Sequence, residues 1–259
     1  MEMPYKVTDE VTILPNFVPV PGMGVLPVNA FVLKSREPVL IDTGIRNDSA
    51  AFLEALGSVV DPEDLRWIWL THDDSDHTGS IAEVMAAAPR ARLVTNALSA
   101  LRMGTWWPVP MERVYALNSG DSIDAGDRTL TGVRPPLFDN PSAVALVDDK
   151  GNFFSADCFG AIIPSLVKEA SDISAETLNQ GMTSWASADS PWIHSMDQRK
   201  WAKALSEIRD LDVKVVLSAH LPPAVKMTDR LLEILKAAPS AEPFVAPNQA
   251  VLAQMLGQA

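Results

Sequence analysis

The sequence predicts a mixed α/β (α+β) fold in which two β-sheets pack face to face and helices cover their outer sides. Runs of branched and aromatic residues, bounded by Pro, Gly, Asn and Asp, recur along the chain and are typical of strands. Helix-favouring segments stand between and after these runs. Since 47% of the residues are hydrophobic, the chain can build a large core, and we expect residues 1–259 to form a single domain.

The individual elements follow from local composition and from turn residues such as Asp149-Lys-Gly between two apolar runs. We expect strands at Val11–Phe17, Pro27–Leu33, Pro38–Asp42, around Trp67, at Arg92–Thr95, within Val114–Val133, in a hairpin of Ser142–Asp148 and Asn152–Asp157, and at Val213–Ala219. We expect helices at Ser49–Leu56, Ile81–Ala88, Ala97–Met103, Ser165–Ala170, Glu176–Met182, Asp197–Arg209, Thr228–Ala237 and Gln249–Leu256.

Composition argues against several classes of partner. The net charge of −12 opposes binding to nucleic acid or to an anionic membrane surface, because both depend on Lys and Arg. The apolar stretch Leu14–Leu33 is broken by four prolines and two glycines, so it does not predict a membrane helix. With a single cysteine, Cys158, no intrachain disulfide can form. The N-terminus lacks an apolar signal core, and we expect a cytoplasmic protein.

The segment Thr71–Ser80 carries most of the recognisable chemistry. Between a predicted buried strand and a predicted helix it contains two histidines and three aspartates: His72, His77, Asp73, Asp74 and Asp76. Carboxylates this close repel one another and resist ionisation unless a cation lies between them. Asp and His are also ligands that suit iron, manganese and zinc. The segment therefore predicts a metal site, and a solvated acidic turn that caps the next helix is the alternative.

Two further polar residues stand at the carboxyl ends of buried strands. His220 follows Val213–Ala219 and precedes two prolines, so it is placed for a site, with a structural role as the alternative. Asp157 lies among apolar residues, where an unpaired carboxylate would be costly to bury and a metal would compensate it. His194 is expected to cap the following helix or line the pocket. Cys158 is expected to fill an apolar gap.

These residues arrive in the order typical of one family. The motifs Asp42-Thr-Gly44, Thr71-His-x-Asp-x-Asp-His-x-Gly79, Asp157 and His220 together resemble the metallo-β-lactamase superfamily. The resemblance covers most of the chain and implies an αββα metallo-β-lactamase sandwich with metals at one edge. The pattern is closest to the β-lactamase-like domain of flavodiiron proteins and to oxygen-binding di-iron proteins, because a carboxylate, Asp74, stands where the superfamily usually has a second histidine.

Two departures from that pattern bear on the metal. The flavodiiron relatives usually carry Glu where this chain has Asp74, which is one methylene shorter. An oxygen-rich ligand set favours iron, or manganese, over zinc. The family also places a histidine in the region that is Arg134–Ser142 here, and this region contains none. Phe138 is expected to occupy that position, and its neighbour Asp139 is a candidate substitute ligand.

The resemblance implies at most two metal ions per chain and divides the ligands between them. The first metal position takes His72, Asp74 and the missing histidine; the second metal position takes Asp76, His77 and His220; Asp157 bridges both. Since the second position keeps four protein ligands, we expect it to bind more tightly. The first should be weaker, empty or differently populated.

Three functions are compatible with this pattern. One is a di-iron protein that binds or reduces dioxygen or nitric oxide, with electrons from a separate donor protein, because the sequence shows no flavin-binding domain and no cysteine cluster. A second is a hydrolase of an ester, thioester or lactone, with Asp74 or Asp76 orienting a metal-bound hydroxide and Trp106 and Trp107 forming an apolar wall. A third is a member without catalysis whose metal holds the loops together. Family members often form dimers, so a homodimer is one expectation.

Overall fold

The computed structural model describes residues 1–255 and contains two β-sheets. The first sheet has seven strands in chain order: β1 (Tyr5–Lys6), β2 (Val11–Val20), β3 (Gly24–Leu33), β4 (Val39–Ile41), β5 (Trp67–Trp69), β6 (Arg92–Thr95) and β7 (Val114–Ala116). The second has six, also in chain order: β8 (Ser122–Asp124), β9 (Thr129–Val133), β10 (Ala145–Asp148), β11 (Asn152–Phe154), β12 (Val215–Leu217) and β13 (Ala224–Val225). Strands β4 to β7 are parallel to one another, as are β11 and β12, and the remaining neighbours are antiparallel.

Helices cover the outer faces of both sheets. Against the first sheet lie α1 (Ser49–Gly57), α2 (Ile81–Ala87) and α3 (Ala97–Met103); against the second lie α4 (Ala175–Asp189), α5 (Gln198–Arg209) and α6 (Thr228–Ala237); α7 (Gln249–Met255) follows. Helix α5 shows why these segments are helical. Its carboxylate cap, Asp197, accepts hydrogen bonds from the first free N–H groups. Its buried residues Trp201, Leu205 and Ile208 recur at helical spacing and face the core.

Strand side chains alternate between two apolar layers. In β4, Ile41 points between the sheets, whereas Leu40 points under the helices of the first sheet. In β11, Phe154 points between the sheets and Phe153 points toward the helices of the second. The rings of Phe31 and Phe154, one from each sheet, meet edge to face with centroids 5.5 Å apart. This is the αββα sandwich, and it confirms the fold that the sequence predicts.

The strands that precede the polar motifs all end at one edge of the sandwich. Strands β4 and β5 are parallel neighbours, and Asp42 and the segment Thr71–Ser80 follow their carboxyl ends. Strands β11 and β12 are parallel neighbours in the other sheet, and Asp157 and His220 follow theirs. Because parallel strands present their carboxyl ends side by side, residues far apart in sequence meet at this edge.

Hydrogen bonds between the two sheets hold this edge together. Val144 N donates to Thr71 O at 2.8 Å and joins the loop before β10 to the end of β5. The buried Asn29 amide donates to Ser218 O at 3.1 Å and to Leu221 O at 2.9 Å. The segment around His220 is therefore fastened to β3 on both sides.

Most elements agree with the sequence prediction, and Arg92–Thr95, Ala97–Met103 and Thr228–Ala237 are confirmed at both ends. The predicted helix at Ser165–Ala170 is wrong. Ile163 just before it pairs with Val25 in both directions, at 2.8 and 3.0 Å, so the chain enters extended. A short 3-10 turn, Ala170–Asp172, forms only afterwards. Leu256, the predicted last residue of the final helix, lies outside the described residues.

No helix among residues 1–255 is long and apolar enough to cross a membrane.

The strands predicted to reach Asp42, Asp157 and Ala219 end one to three residues earlier, at Ile41, Phe154 and Leu217. At each place the chain leaves the sheet to bring a polar side chain to the edge.

Gly79 lies where two loops at this edge of the sandwich approach each other closely. Its N–H donates to Gly44 O at 2.8 Å, and a Cβ at Gly79 would overlap backbone atoms of Gly44, Ile45 and Arg46. We expect Gly79→Ala to lower the free energy of unfolding by about 1–3 kcal/mol, since backbone atoms cannot move aside as a flexible side chain can. Urea unfolding measures the change. Gly57→Ala is the matched control, because a Cβ there meets nothing within 4 Å; equal midpoints for the two variants would contradict the close approach.

Candidate metal centre

Three histidines converge on one buried carboxylate. Asp157 Oδ2 lies 3.1 Å from His72 Nε2. Asp157 Oδ1 lies 2.9 Å from His77 Nε2 and 3.0 Å from His220 Nε2. None of the four side chains is more than 3% exposed. The two oxygens of one carboxylate therefore face two different sets of nitrogen donors, as a ligand that bridges two metal ions would.

The first metal position gathers His72 with two aspartates. Asp74 Oδ2 lies 3.7 Å and Asp139 Oδ1 3.9 Å from His72 Nε2, and one donor atom from each of the three residues lies within 4.8 Å of the others. Asp74 therefore comes within reach of the group although it is shorter than Glu. Asp139 also lies beside His72, and its role as a substitute ligand stays a prediction.

The second metal position gathers two histidines and one aspartate. Asp76 Oδ2 lies 3.5 Å from His220 Nε2 and 3.7 Å from His77 Nε2. These three side chains also offer donor atoms within 4.8 Å of one another. The sequence-predicted division of ligands between two positions thus has a geometric counterpart.

The polar atoms at the centre are buried without partners. Among the described residues, His77 Nε2 and both Asp157 oxygens form no well-aligned hydrogen bond, although the distance between them is short. Unpaired buried polar atoms are costly, and a cation between the donors would satisfy them together. The residues present therefore fit a metal centre.

The outer nitrogen of each histidine ring is fixed by a different partner. His77 Nδ1 lies 2.9 Å from Asp42 Oδ2, and His220 Nδ1 lies 2.8 Å from Pro27 O. His72 Nδ1 lies 3.1 Å from Thr71 Oγ1. Each contact leaves Nε2 facing the centre, which sets ring orientation and tautomer as second-shell groups do in metal sites.

Burial and neighbouring charges shift the pKa values of the groups at the centre in opposite directions. Burial alone would raise the pKa of the Asp157 carboxyl, but His72 and His77 bring that pKa well below its usual range. Burial lowers the pKa of His77, but Asp76, Asp157 and Asp42 carry it well above its usual value. The carboxylates and the imidazoles therefore stabilise each other's charged forms, and a metal ion that binds here competes with protons for these donors.

Two more carboxyls lie close to Asp157. Burial, and then the charge of Asp157, raises the pKa of Asp139 to about 9. The same two causes raise the pKa of Asp189 to about 7. Asp139, Asp157 and Asp189 offer oxygens within 4.8 Å of one another.

A buried polar network orients Asp74. The Asn140 amide donates to Asp74 Oδ1 at 2.8 Å and to Asp73 Oδ1 at 3.1 Å. Ser142 Oγ donates to Asn140 Oδ1 at 2.6 Å, and Arg102 Nε lies 2.8 Å from Asp73 Oδ2. The amide thus uses both hydrogens on neighbouring carboxylates, which leaves Asp74 Oδ2 turned toward His72.

Aromatic side chains enclose the centre on the side of α4. The ring of Trp185 lies 4.8 Å from that of His220, and its Nε1 donates to Asp157 O at 3.2 Å. Trp192 packs against Phe138 with centroids 5.0 Å apart and donates to Phe138 O at 2.8 Å. The Arg134 guanidinium lies 3.7 Å from the centroid of the Phe138 ring. Phe138 therefore occupies an aromatic stack, and Asp139 beside it faces the ligands.

A cavity of about 500 Å³ opens beside the metal loop, and its lining includes Asp74, Asp76, Arg102 and Trp106. Trp106 stacks on Trp107 at 6.3 Å, but Trp107 packs into the core under the helices of the first sheet. Of the two tryptophans expected to form an apolar wall, the structure places Trp106 at the cavity.

The family model for the metallo-beta-lactamase superfamily matches residues 23–220, a span that contains every side chain of the two metal positions. The chain belongs to the metallo-β-lactamase superfamily. Within this superfamily the chain resembles flavodiiron proteins, and this agrees with the resemblance that the sequence motifs indicate. It is 28% identical over 134 residues to the anaerobic nitric oxide reductase flavorubredoxin of Salmonella typhi, a match covering 51% of this chain and 28% of that protein.

Solved structures give the same relationship for the fold. The rubredoxin oxygen:oxidoreductase of Desulfovibrio gigas superposes with a TM-score of 0.80 at 17% identity, covering 93% of this chain and 63% of that one. The flavodiiron protein of Giardia intestinalis gives a TM-score of 0.81 at 14% identity, covering 92% and 60%. These similarities correspond to the β-lactamase-like core of flavodiiron proteins. The chain spans less than two thirds of each of these relatives.

Two residues singled out in the sequence of this superfamily member have contacts of their own. His194 Nε2 lies 2.8 Å from Ser187 Oγ, and His194 Nδ1 lies 3.4 Å from Pro239 O. It belongs to none of the donor groups, and its pocket-lining role stays a prediction. Cys158 is fully buried in the core under the helices of the second sheet, as expected of an apolar filler.

Asn140, Trp185 and Asp189 were not predicted as parts of the centre, and Asp73 was predicted only as one carboxylate of the metal-binding segment. Asp189 lies seven residues beyond the predicted helix Glu176–Met182, which in the structure continues to Asp189, and Asn140 lies in a Pro-rich loop, so neither stands in a motif. The one hint in the sequence was that Asn140 directly follows Asp139, the candidate substitute ligand.

We expect Asp42→Asn to weaken metal binding at the second position by about 10- to 100-fold, because His77 loses the charged partner of its Nδ1. Asn tolerates the positive φ of 59° at this residue, so the backbone should be kept. Calorimetric titration of metal-free protein measures the affinity. Asp9→Asn, at an exposed site, is the control for loss of charge; identical affinities in both variants would refute the positioning role of Asp42.

We expect Asn140→Ala to lower occupancy of the first position while leaving the second filled, because Asp74 loses the donor that holds its Oδ1. Elemental analysis of the loaded and desalted variant, together with its melting temperature, separates this effect from general destabilisation. Asn179→Ala, on the exposed face of α4, provides the control. Loss of both ions in proportion to lost folded protein would assign Asn140 a structural role instead.

Proposed function

We propose that this protein holds two metal ions, preferentially iron, and binds or reduces dioxygen or nitric oxide. The observation that carries the proposal is Asp157, whose two buried oxygens face two separate sets of ligands. A single ion held between His77, His220 and Asp157 Oδ1 would leave His72 and Asp157 Oδ2 facing each other without an ion. The gas chemistry is supported by the names of similar proteins, a nitric oxide reductase and a rubredoxin oxygen:oxidoreductase.

The second metal position supports iron. Asp76, His77 and His220 are two imidazoles and one carboxylate, the combination typical of non-haem iron oxygenases. With Asp157 as the fourth ligand, we expect this position to fill first and bind more tightly. Manganese and zinc are the alternatives.

Bound iron ions would supply open coordination positions and the redox change that a diatomic ligand requires. The residues of the chain supply orientation and exclusion of water. Asp42 and Pro27 O fix the rings of His77 and His220, and burial keeps water from Asp157. Trp185 covers the side of His220, so a small neutral ligand suits this wall better than a charged one. We propose that electrons arrive from a separate donor protein.

One observation favours a second function, a metal-dependent hydrolase. The cavity of about 500 Å³ beside Asp74 and Asp76 is much larger than a diatomic gas and could hold an ester, thioester or lactone. In that case a metal-bound water, whose pKa falls to about 7 on zinc, would be the nucleophile. Trp106 would line the binding surface for the organic group.

The first test is elemental analysis of protein purified without added metal, with absorption spectra before and after reduction and after exposure to nitric oxide. We expect about two irons per chain, as the two ligand groups imply, and a spectral change on nitric oxide. About one zinc per chain, with no spectral change, would overturn the di-iron proposal and direct the search to ester and lactone hydrolysis.

The matched variants for this test are two histidine substitutions. His220→Ala should remove the ion at the second position, because that position then keeps a single imidazole. His194→Ala should leave the metal count unchanged, because His194 bonds to Ser187 and lies outside the donor groups.

A further inference from the structure

Three carboxylates from separate segments face one another beside the first metal position. Asp139 comes from the loop between β9 and β10, Asp157 follows β11, and Asp189 ends α4. Their oxygens lie within 4.8 Å of one another, and Asp139 also belongs to the group of His72 and Asp74. Asp157 is 3% exposed, and neither of its oxygens has a hydrogen-bond partner among residues 1–255.

The end of α4 is fixed against the centre by two contacts. Ser190 Oγ, which is fully buried, donates to Asp189 Oδ2 at 3.0 Å and orients this carboxylate. One helical turn earlier, Trp185 Nε1 donates to Asp157 O at 3.2 Å. The Asp189 side chain is therefore placed by the fold rather than by an exposed loop.

Asp139 is fixed from both of its neighbours. Trp192 Nε1 donates to Phe138 O at 2.8 Å, and the Asn140 amide is anchored on Asp73 and Asp74. Its carboxylate lies 3.9 Å from His72 Nε2. Asp139 and Asp189 thus approach Asp157 from two different sides of the fold.

No basic side chain balances this group. In the described part of the chain, no Lys or Arg forms an ion pair with Asp139, Asp157 or Asp189, and their ion-pair contacts are with histidines alone. The nearby Arg134 is engaged with the Phe138 ring and with two backbone carbonyls. Three carboxylates at this separation require a cation or bound protons between them.

We propose that Asp139 and Asp189 complete the first metal position together with His72, Asp74 and Asp157. They would replace the histidine of the family pattern, which this chain lacks. This inference rests on the proposed two-metal function and deepens it. The first position then offers one imidazole and four carboxylates, whereas the second offers two imidazoles and two carboxylates. Carboxylates suit Mn²⁺, whereas imidazole suits zinc and iron. The first position therefore accepts Mn²⁺ more readily than the second does, and Zn²⁺ is held most tightly where two imidazoles are present.

The test is competition between metals on the full chain. Metal-free protein is equilibrated with one equivalent of Zn²⁺ per chain and an excess of Mn²⁺, desalted, and measured by elemental analysis and by the electron paramagnetic resonance of bound Mn²⁺. We expect wild type to hold one Mn²⁺ and one Zn²⁺. Asp139→Asn and Asp189→Asn should each weaken Mn²⁺ binding by at least about tenfold while keeping the Zn²⁺.

Two further variants provide a charge control and a change in the metal preference of the first position. Glu176→Gln removes one negative charge from the exposed face of α4 and should bind both metals as wild type does. Asp139→His adds an imidazole beside His72 and should keep two ions while shifting the first position toward Zn²⁺.

The outcomes separate the inference from the proposed function. Two bound ions in wild type, with unchanged Mn²⁺ affinity in both Asn variants, would overturn the inference and leave the two-metal function standing. Fewer than two ions in wild type under every metal tested would overturn both. Retained Zn²⁺ in the Asn variants shows that they are folded, so lost Mn²⁺ then supports the assignment.

Discussion

The structure depends on a buried carboxylate shared by three imidazoles. Isolated in the protein interior, Asp157 would cost several kcal/mol to ionise, and no residue among 1–255 aligns a hydrogen-bond donor with its two oxygens. The surrounding fold nevertheless places it where His72, His77 and His220 meet, each with its outer nitrogen already held by a different segment. A chain selected for stability alone would fill this space with apolar side chains. The arrangement is explained by what can bind between these groups, and the acidic residues on either side determine which ion binds best.

The architecture delivers these residues because of strand direction. Each sheet contributes a parallel pair, β4 with β5 and β11 with β12, and the chain after each strand bends out at the same edge. The bends require uncommon backbone: Asp42 and Ala156 adopt φ of 59° and 54°. Such conformations cost free energy for residues other than glycine and are concentrated at functional sites. Here Ala156 directly precedes Asp157, and Asp42 is itself the partner of the His77 ring. The hydrogen bonds that Asn29 and Val144 form between the sheets keep the edge closed.

The sequence was sufficient to predict the fold and to propose as ligands the residues that stand in motifs. Alternating apolar runs gave the strands, and short loops rich in Asp and His after those runs gave His72, Asp74, Asp76 and His77. The helix predicted at Ser165–Ala170 does not form because the chain enters this segment extended, with Ile163 paired to Val25 of β3, and no local pattern reveals that pairing. Asp189 and Asn140 were missed for a similar reason. Their roles arise from where α4 ends and how the Pro-rich loop folds, both of which are set by packing against distant elements rather than by neighbours in sequence.

The wide spacing of the ligands also has a consequence for synthesis. His72 and its neighbours emerge from the ribosome long before His220, and β12, the strand before His220, pairs with β11 across a stretch of chain that contains α4 and α5. A nascent chain therefore exposes a cluster of aspartates that can hold an ion loosely, yet it cannot close the second position until His220, the last of these ligands along the chain, has been made. The choice of metal is then made by the two paired sheets, whose rigid edge can discriminate between ions, and not by the flexible chain that first presents the ligands.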